Sequence, residues 1–139
     1  MKSYEEILEE YLSEDGNSRD IIIDLANPLQ IMVITDCSRG SISSISCCGY
    51  RECILRCIYI NNSILELREL NFLLAYQIAT LIKIKKKLFS LNFVEFDFDS
   101  DEFKLALKIY NRIYKDDKQI VQDVKTLKLK KNEMEVKNA

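Results

Sequence analysis

Two groups of side chains in this sequence have types and spacings that could do chemistry: Cys37, Cys47, Cys48, Cys53 and Cys57, and the crowded carboxylates Asp97, Asp99, Asp101 and Glu102. Thiolates hold zinc, and oxygen-rich loops suit calcium or magnesium. The cysteines resist the zinc reading. A strand advances ~3.3 Å per residue, so Cys53 and Cys57 stand ~13 Å apart along an extended segment and cannot share one ion. Free cysteines as small buried hydrophobes are the simpler account. Cys37, in an expected turn beside Arg39, is the one candidate reactive thiol. The carboxylates lack the spacing and the glycine of an EF-hand loop, and capping and dipole complementation account for Asp101 and Glu102. No metal and no cofactor are expected.

The composition narrows the chemistry further. The chain has no histidine, which removes the usual general base, the usual metal ligand and the base of Ser-His or Cys-His pairs. Three glycines and one proline leave few places for a phosphate-cradling loop, and neither G-x-G-x-x-G nor G-x-x-x-x-G-K-S/T occurs. The expectation is a protein that is not an enzyme. Eight acids against Lys2 and Arg19 up to Asp24, and seven lysines against five acids from Lys115 onward, make neither end a strong polyelectrolyte. Lys83-Ile84-Lys85-Lys86-Lys87 reads as cations complementing a helix C-terminus, and Lys125 to Lys131 as a solvated helix end. No nucleic-acid partner is expected. The sequence starts without an apolar signal core, and no run approaches the roughly 18 apolar residues of a membrane span. A soluble, cytoplasmic protein, with the nucleus as a second compartment, and five reduced cysteines are expected.

The elements that must position these groups follow from spacing. Ser3 and Glu6 form a capping box for a helix from Ser3 to Ser13, with Tyr4, Ile7, Leu8, Tyr11 and Leu12 as its apolar stripe. Four strands are predicted at Asp20 to Leu25, Gln30 to Thr35, Ser41 to Cys48 and Cys53 to Ile60, joined by short turns that favour sequential antiparallel pairing. Ser63 and Glu66 open a second helix with Leu67, Leu70, Leu74, Ile78 and Leu81 buried. A strand follows at Ser90 to Phe98, with Val94, Phe96 and Phe98 on one face. Ser100 then caps a third helix carrying Phe103, Ala106, Leu107, Tyr110, Ile113 and Tyr114. The expected fold is α+β, a mainly antiparallel β-sheet with two long helices in the order (α)ββββαβα. Residues 1–19 form an acidic N-terminal helix and linker, 20–116 a single core domain, and 117–139 a helical extension with a Lys-rich tail.

From Leu74 to Ile113 the pattern is an apolar helix ending in lysines, then Phe89-Ser90-Leu91-Asn92-Phe93, an acidic turn at Asp99-Ser100, and Asn111-Arg112-Ile113 late in the next helix. It resembles the small eukaryotic proteasome-assembly chaperones of the third- and fourth-subunit type. The match spans about 40 residues as sequence pattern and 20–115 as order of elements, leaving the acidic helix and the Lys-rich tail outside. The resemblance implies a non-catalytic role: binding proteasome α-subunits, as part of a heterodimer with a related small chaperone subunit, while the α-ring forms.

The surface expected to meet a partner is the turns holding Ser38, Arg39, Arg51 and Glu52, together with the strand at Cys53 to Ile60. An unpaired sheet edge also allows a homodimer in isolation. Two other readings stand beside this one. The first is a roadblock- or longin-like scaffold subunit of a trafficking or signalling complex, the roadblock form requiring a helix between the second and third predicted strands. The second is a small enzyme using the carboxylates near Asp97 to Glu102 or the Cys37 thiol, which requires a cleft around them.

Overall fold

The computed structural model describes residues 3–13, 20–35, 43–50, 53–60, 66–83, 89–92, 96–115 and 117–125. Ser3 starts the chain's first helix, α1 (Tyr4–Ser13), by accepting the Glu6 N–H at 3.2 Å while its hydroxyl donates to the Glu6 carboxylate at 3.3 Å. Tyr11 is buried, and Tyr4, Ile7 and Leu8 pack against the core, whereas Leu12 is exposed.

The segment expected as the first strand is helical. Asp20 accepts the N–H groups of Ile22 and Ile23, and the chain winds through a π-helical turn (Ile22–Ala26), closed by Asn27 N–H donating to the Ile22 carbonyl at 2.8 Å. Ile21, Leu25, Ala26 and Leu29 are thereby turned into the core. Gln30, at φ 60°, sits in the left-handed region and redirects the chain into the sheet.

The sheet contains β1 (Ile31–Thr35), β2 (Ser43–Tyr50), β3 (Cys53–Ile60) and β4 (Phe89–Asn92) in the order β1-β3-β2-β4. β1 runs parallel to β3, with Val33 opposite Ile58, and β2 lies antiparallel to both β3 and β4. The expected mainly antiparallel sheet and the order (α)ββββαβα are therefore overturned. Three strands precede the long helix rather than four, β1 and β2 do not pair, the sheet is mixed, and helix outweighs strand among the described residues. The physical reason is the π-helical turn: it removes the first strand, and β1 docks beyond β3 rather than beside its neighbour in sequence. The α+β class remains.

The helix after β3, α2 (Leu67–Lys83), starts later than the expected Ser63. Glu66 occupies the cap, and the Glu69 carboxylate reaches back to accept its N–H at 3.0 Å. From Phe72 to Leu81 every residue is buried, so α2 has no solvent face there. Within that stretch Thr80 donates its hydroxyl to the Tyr76 carbonyl at 2.8 Å. On one side α2 meets the sheet, and on the other it packs antiparallel against α3 (Asp101–Asn111), Phe72 meeting Tyr110 while Tyr76 meets Phe103. No helix among the described residues is long and apolar enough to cross a membrane.

Phe96 and Phe98 join Phe72, Tyr76, Phe103 and Tyr110 in one aromatic cluster, with ring centroids from 4.8 Å to 6.4 Å apart. α3 is capped as expected: the Ser100 hydroxyl accepts the Phe103 N–H at 3.1 Å and itself donates to the Asp97 carbonyl at 2.7 Å. Helical geometry ends at Asn111, short of the expected Tyr114. Ser100→Ala removes that N-cap and is expected to cost about 1 kcal/mol in urea unfolding. An unchanged midpoint would mean that the Asp97 turn alone fixes the start of α3.

Candidate functional site

The polar side chains of the described residues concentrate in two guanidinium-centred clusters at one end of α3. At the first turn of α2, Arg68 projects toward the chain that follows α3. Its Nε and Nη2 donate to the Asp117 carboxylate at 2.7 to 2.9 Å, and its Nη1 donates to Asp123 at 2.8 Å. This fork-on-carboxylate geometry is specific to arginine. The Tyr110 hydroxyl donates to Asp117 Oδ2 at 2.5 Å, and Asn71 Nδ2 donates to the Tyr114 hydroxyl at 2.8 Å. The Tyr110 and Tyr114 rings stack at 4.6 Å. Burial would raise the Asp117 carboxyl, but the hydrogen bonds from Tyr110 and Arg68 outweigh it and hold the group below the usual range. Burial, then the adjacent Asp117, pushes the Tyr110 phenol up, so it remains a donor.

The second cluster joins three elements. Arg112, just past α3, donates to Asp24 of the π-helical turn at 3.0 Å, and its guanidinium lies 4.2 Å from the ring centroid of Tyr11 in α1. The Tyr11 hydroxyl donates to the Ile109 carbonyl at 3.0 Å, and burial raises its pKa. Desolvation alone would lower the Arg112 pKa; the bond to Asp24 and the contact with Tyr11 reverse the direction.

Chemically, both clusters are consumed in holding helices together: each guanidinium has its carboxylate, and each of those carboxylates its guanidinium. Two grooves open among the described residues, the first of them beside the Arg68 cluster at Asp117. One, about 500 Å³, lies between α3 and the following segment, lined by Leu107, Asn111, Lys115, Asp117, Lys118 and Val121. The other, about 460 Å³, lies where α1, the end of α2 and the start of α3 converge, around Leu8, Ile82, Lys83, Lys104, Leu105 and Lys108.

The residues singled out from sequence fall elsewhere. Asp97, Asp99 and Ser100 make the turn into α3, where Asp97 Oδ1 accepts the Asp99 N–H at 3.1 Å, and Asp101 and Glu102 occupy the helix's first turn. Asp101 also lines the second groove. Cys53 and Cys57 both lie on β3, and Cys57 is buried with a free thiol. Cys47 and Cys48 lie on β2. Among the described residues no group of three or more histidine, cysteine or acidic side chains could hold a metal.

Ser38 and Arg39, like Cys37 beside them, lie outside the described residues, and so do Arg51 and Glu52, which fall between the paired Tyr50 and Cys53. The strand expected to help bind a partner is β3. It occupies the middle of the sheet with β1 and β2 on its two sides, so its backbone edges are already used. The edge positions among the described residues belong instead to β1 and β4, and Met32 on β1 is 55% exposed. Arg68, Asp117 and Asp123 carried no signal in sequence, since the partners are 49 and 55 positions apart. Arg112 had one, as part of Asn111-Arg112-Ile113, though its partner did not. No family model matches the chain, and neither a curated protein nor a solved structure is similar to it.

Proposed function

We propose that this protein acts by association rather than catalysis, as an assembly-chaperone subunit that binds proteasome α-subunits within a small heterodimer. The observation that carries association is an edge of the mixed sheet. Among the described residues β1 has one strand neighbour, β3, and presents Met32 and Thr35 exposed beside a short parallel ladder. An edge strand offers a row of unpaired N–H and C=O groups, and its natural complement is an extended segment of another chain. The non-catalytic reading is supported by the employment of the carboxylates: Asp97 shapes a turn, and Asp24, Asp117 and Asp123 are bonded to arginine. The choice of the proteasome rests on the sequence pattern of Leu74 to Ile113 and not on topology, since the strand order differs from the one expected.

The test is affinity purification of the tagged protein from its native cells with mass spectrometry of the co-purifying chains, alongside a Met32→Lys variant. Proteasome α-subunits recovered with a second small chaperone, and without mature particles, are expected. Met32→Lys is expected to reduce that recovery roughly tenfold while leaving the circular dichroism spectrum unchanged, because a lysine on an edge strand opposes strand addition. Recovery of small GTPases or membrane-complex subunits in place of proteasome chains would overturn the assembly role and put the scaffold reading in its place. Undiminished recovery with Met32→Lys would remove the β1 edge as the contact surface.

A further inference from the structure

Beyond α3, 117–125 runs from Arg68 and Tyr110 back to Phe98, before the start of α3. Its helical turns over 120–125 place Ile120 and Val124, one turn apart, wholly inside the core, and Val121 half-buried in the groove beside Leu107. Its far end brings the Lys125 ammonium to 5.6 Å from the Phe98 ring centroid. Arg68, on another element, holds Asp117 at the start of the segment and Asp123 six positions later. Tyr110 adds its hydroxyl bond to the same Asp117 oxygen that Arg68 engages.

We infer that 117–125 is a clasp that opens as a unit, with Arg68 as its latch. Among the described residues its apolar anchors are Ile120, Val121 and Val124, against the unbroken buried run from Phe72 to Leu81 in α2. A segment anchored this way opens at a lower free energy than that all-buried stretch. Solvent reaches the latch, since the Arg68 side chain keeps 35% of its exposure, while Ile120 and Val124 keep 0%. Opening therefore begins at the guanidinium and proceeds to the anchors. One arginine bridging two carboxylates six positions apart also ties both ends of the segment at once: losing the guanidinium takes a partner from Asp117 and Asp123 together, leaving Asp117 the Tyr110 hydroxyl. The consequence is that the aromatic cluster facing 117–125 has a cover the protein itself can lift, independently of any partner at the β1 edge.

Hydrogen exchange read by mass spectrometry on the full chain tests this. In the parent protein, amides of 117–125 are expected to exchange faster than those of 72–81. In Arg68→Gln they are expected to speed up a further ten- to hundredfold, with 72–81 changed less than twofold. Arg68→Lys, which keeps the charge and loses the fork, should fall between the two. Should Arg68→Gln fold poorly, Asp123→Asn removes one arm and is expected to give the same selective pattern at smaller size. The inference is overturned if 117–125 exchanges at the parent rate in these variants, or if 117–125 and 72–81 accelerate together, which would make the segment an inseparable part of the core.

Discussion

Replacing Arg112 by alanine is expected to destabilise the fold by about 3 to 5 kcal/mol, the range for removing one partner of a buried ion pair. The side chain is 7% exposed and its partner Asp24 15%, so neither charge is well served by water once the other is gone. The loss falls on three elements at once: Asp24 anchors the π-helical turn, Tyr11 belongs to α1, and Arg112 itself follows α3. Deleting the guanidinium leaves a carboxylate in a site built for a cation and removes the charge facing the Tyr11 ring, worth a further ~0.5 to 2 kcal/mol. Urea unfolding followed by circular dichroism measures the change directly. The contrast that isolates the ion pair is the double variant Arg112→Met with Asp24→Leu, expected to recover about half the loss, because two apolar groups need no mutual compensation. A loss below about 1 kcal/mol for Arg112→Ala would mean that water replaces the guanidinium, and that the apolar stripe of α1 with the Tyr11 bond to Ile109 holds it without the ion pair.

What could be read from the sequence divides along the line between local and distant causes. The Ser100 cap was legible because the acceptor, the Phe103 donor and the apolar spacing after them fall within a few residues. The bounds of β3, Cys53 to Ile60, were legible from alternation. Asp20 to Leu25 was misread because its run of β-branched residues favours strands; here Asp20 capping two N–H groups and the burial of Ile21, Leu25 and Leu29 override that preference. The parallel β1–β3 ladder had no local signature, since short turns argue for neighbours in sequence and the choice between partners is made by packing. A stripe at Leu67, Leu70, Leu74, Ile78 and Leu81 suggested one buried face of α2, yet Leu67 is exposed, and Tyr76, Gln77 and Thr80 are buried. A helix between a sheet and a second helix has no face left for solvent. The two guanidinium clusters were the least legible part, because each joins residues tens of positions apart that carry no periodicity.

That central placement of α2 makes Phe72→Ala the second large expected effect, again about 3 to 5 kcal/mol. Phe72 is 0% exposed, and its ring is met by Phe96 at 5.7 Å, Phe103 at 5.4 Å and Tyr110 at 5.6 Å, two from α3 and one from the segment before it. Truncation removes the transfer energy of the ring and opens a cavity that three aromatic neighbours, each fixed by its own contacts, can refill only in part. Against a total stability of about 5 to 15 kcal/mol for a domain, this is enough to unfold a sizeable fraction of the protein at 37 °C. Phe72→Leu keeps most of the volume and is expected to cost about 1.5 kcal/mol, while Leu67→Ala, at a position 69% exposed on the same helix, should stay within ±0.5 kcal/mol. Urea midpoints for the three variants order the sites. If Phe72→Ala cost no more than Leu67→Ala, the aromatic cluster would not be the core that joins α2 to α3. Tyr110 spans both arguments, since its ring packs on Phe72 while its hydroxyl bonds Asp117. Phe72→Ala is therefore also expected to speed exchange in 117–125, but together with 72–81, unlike the selective opening caused by losing Arg68.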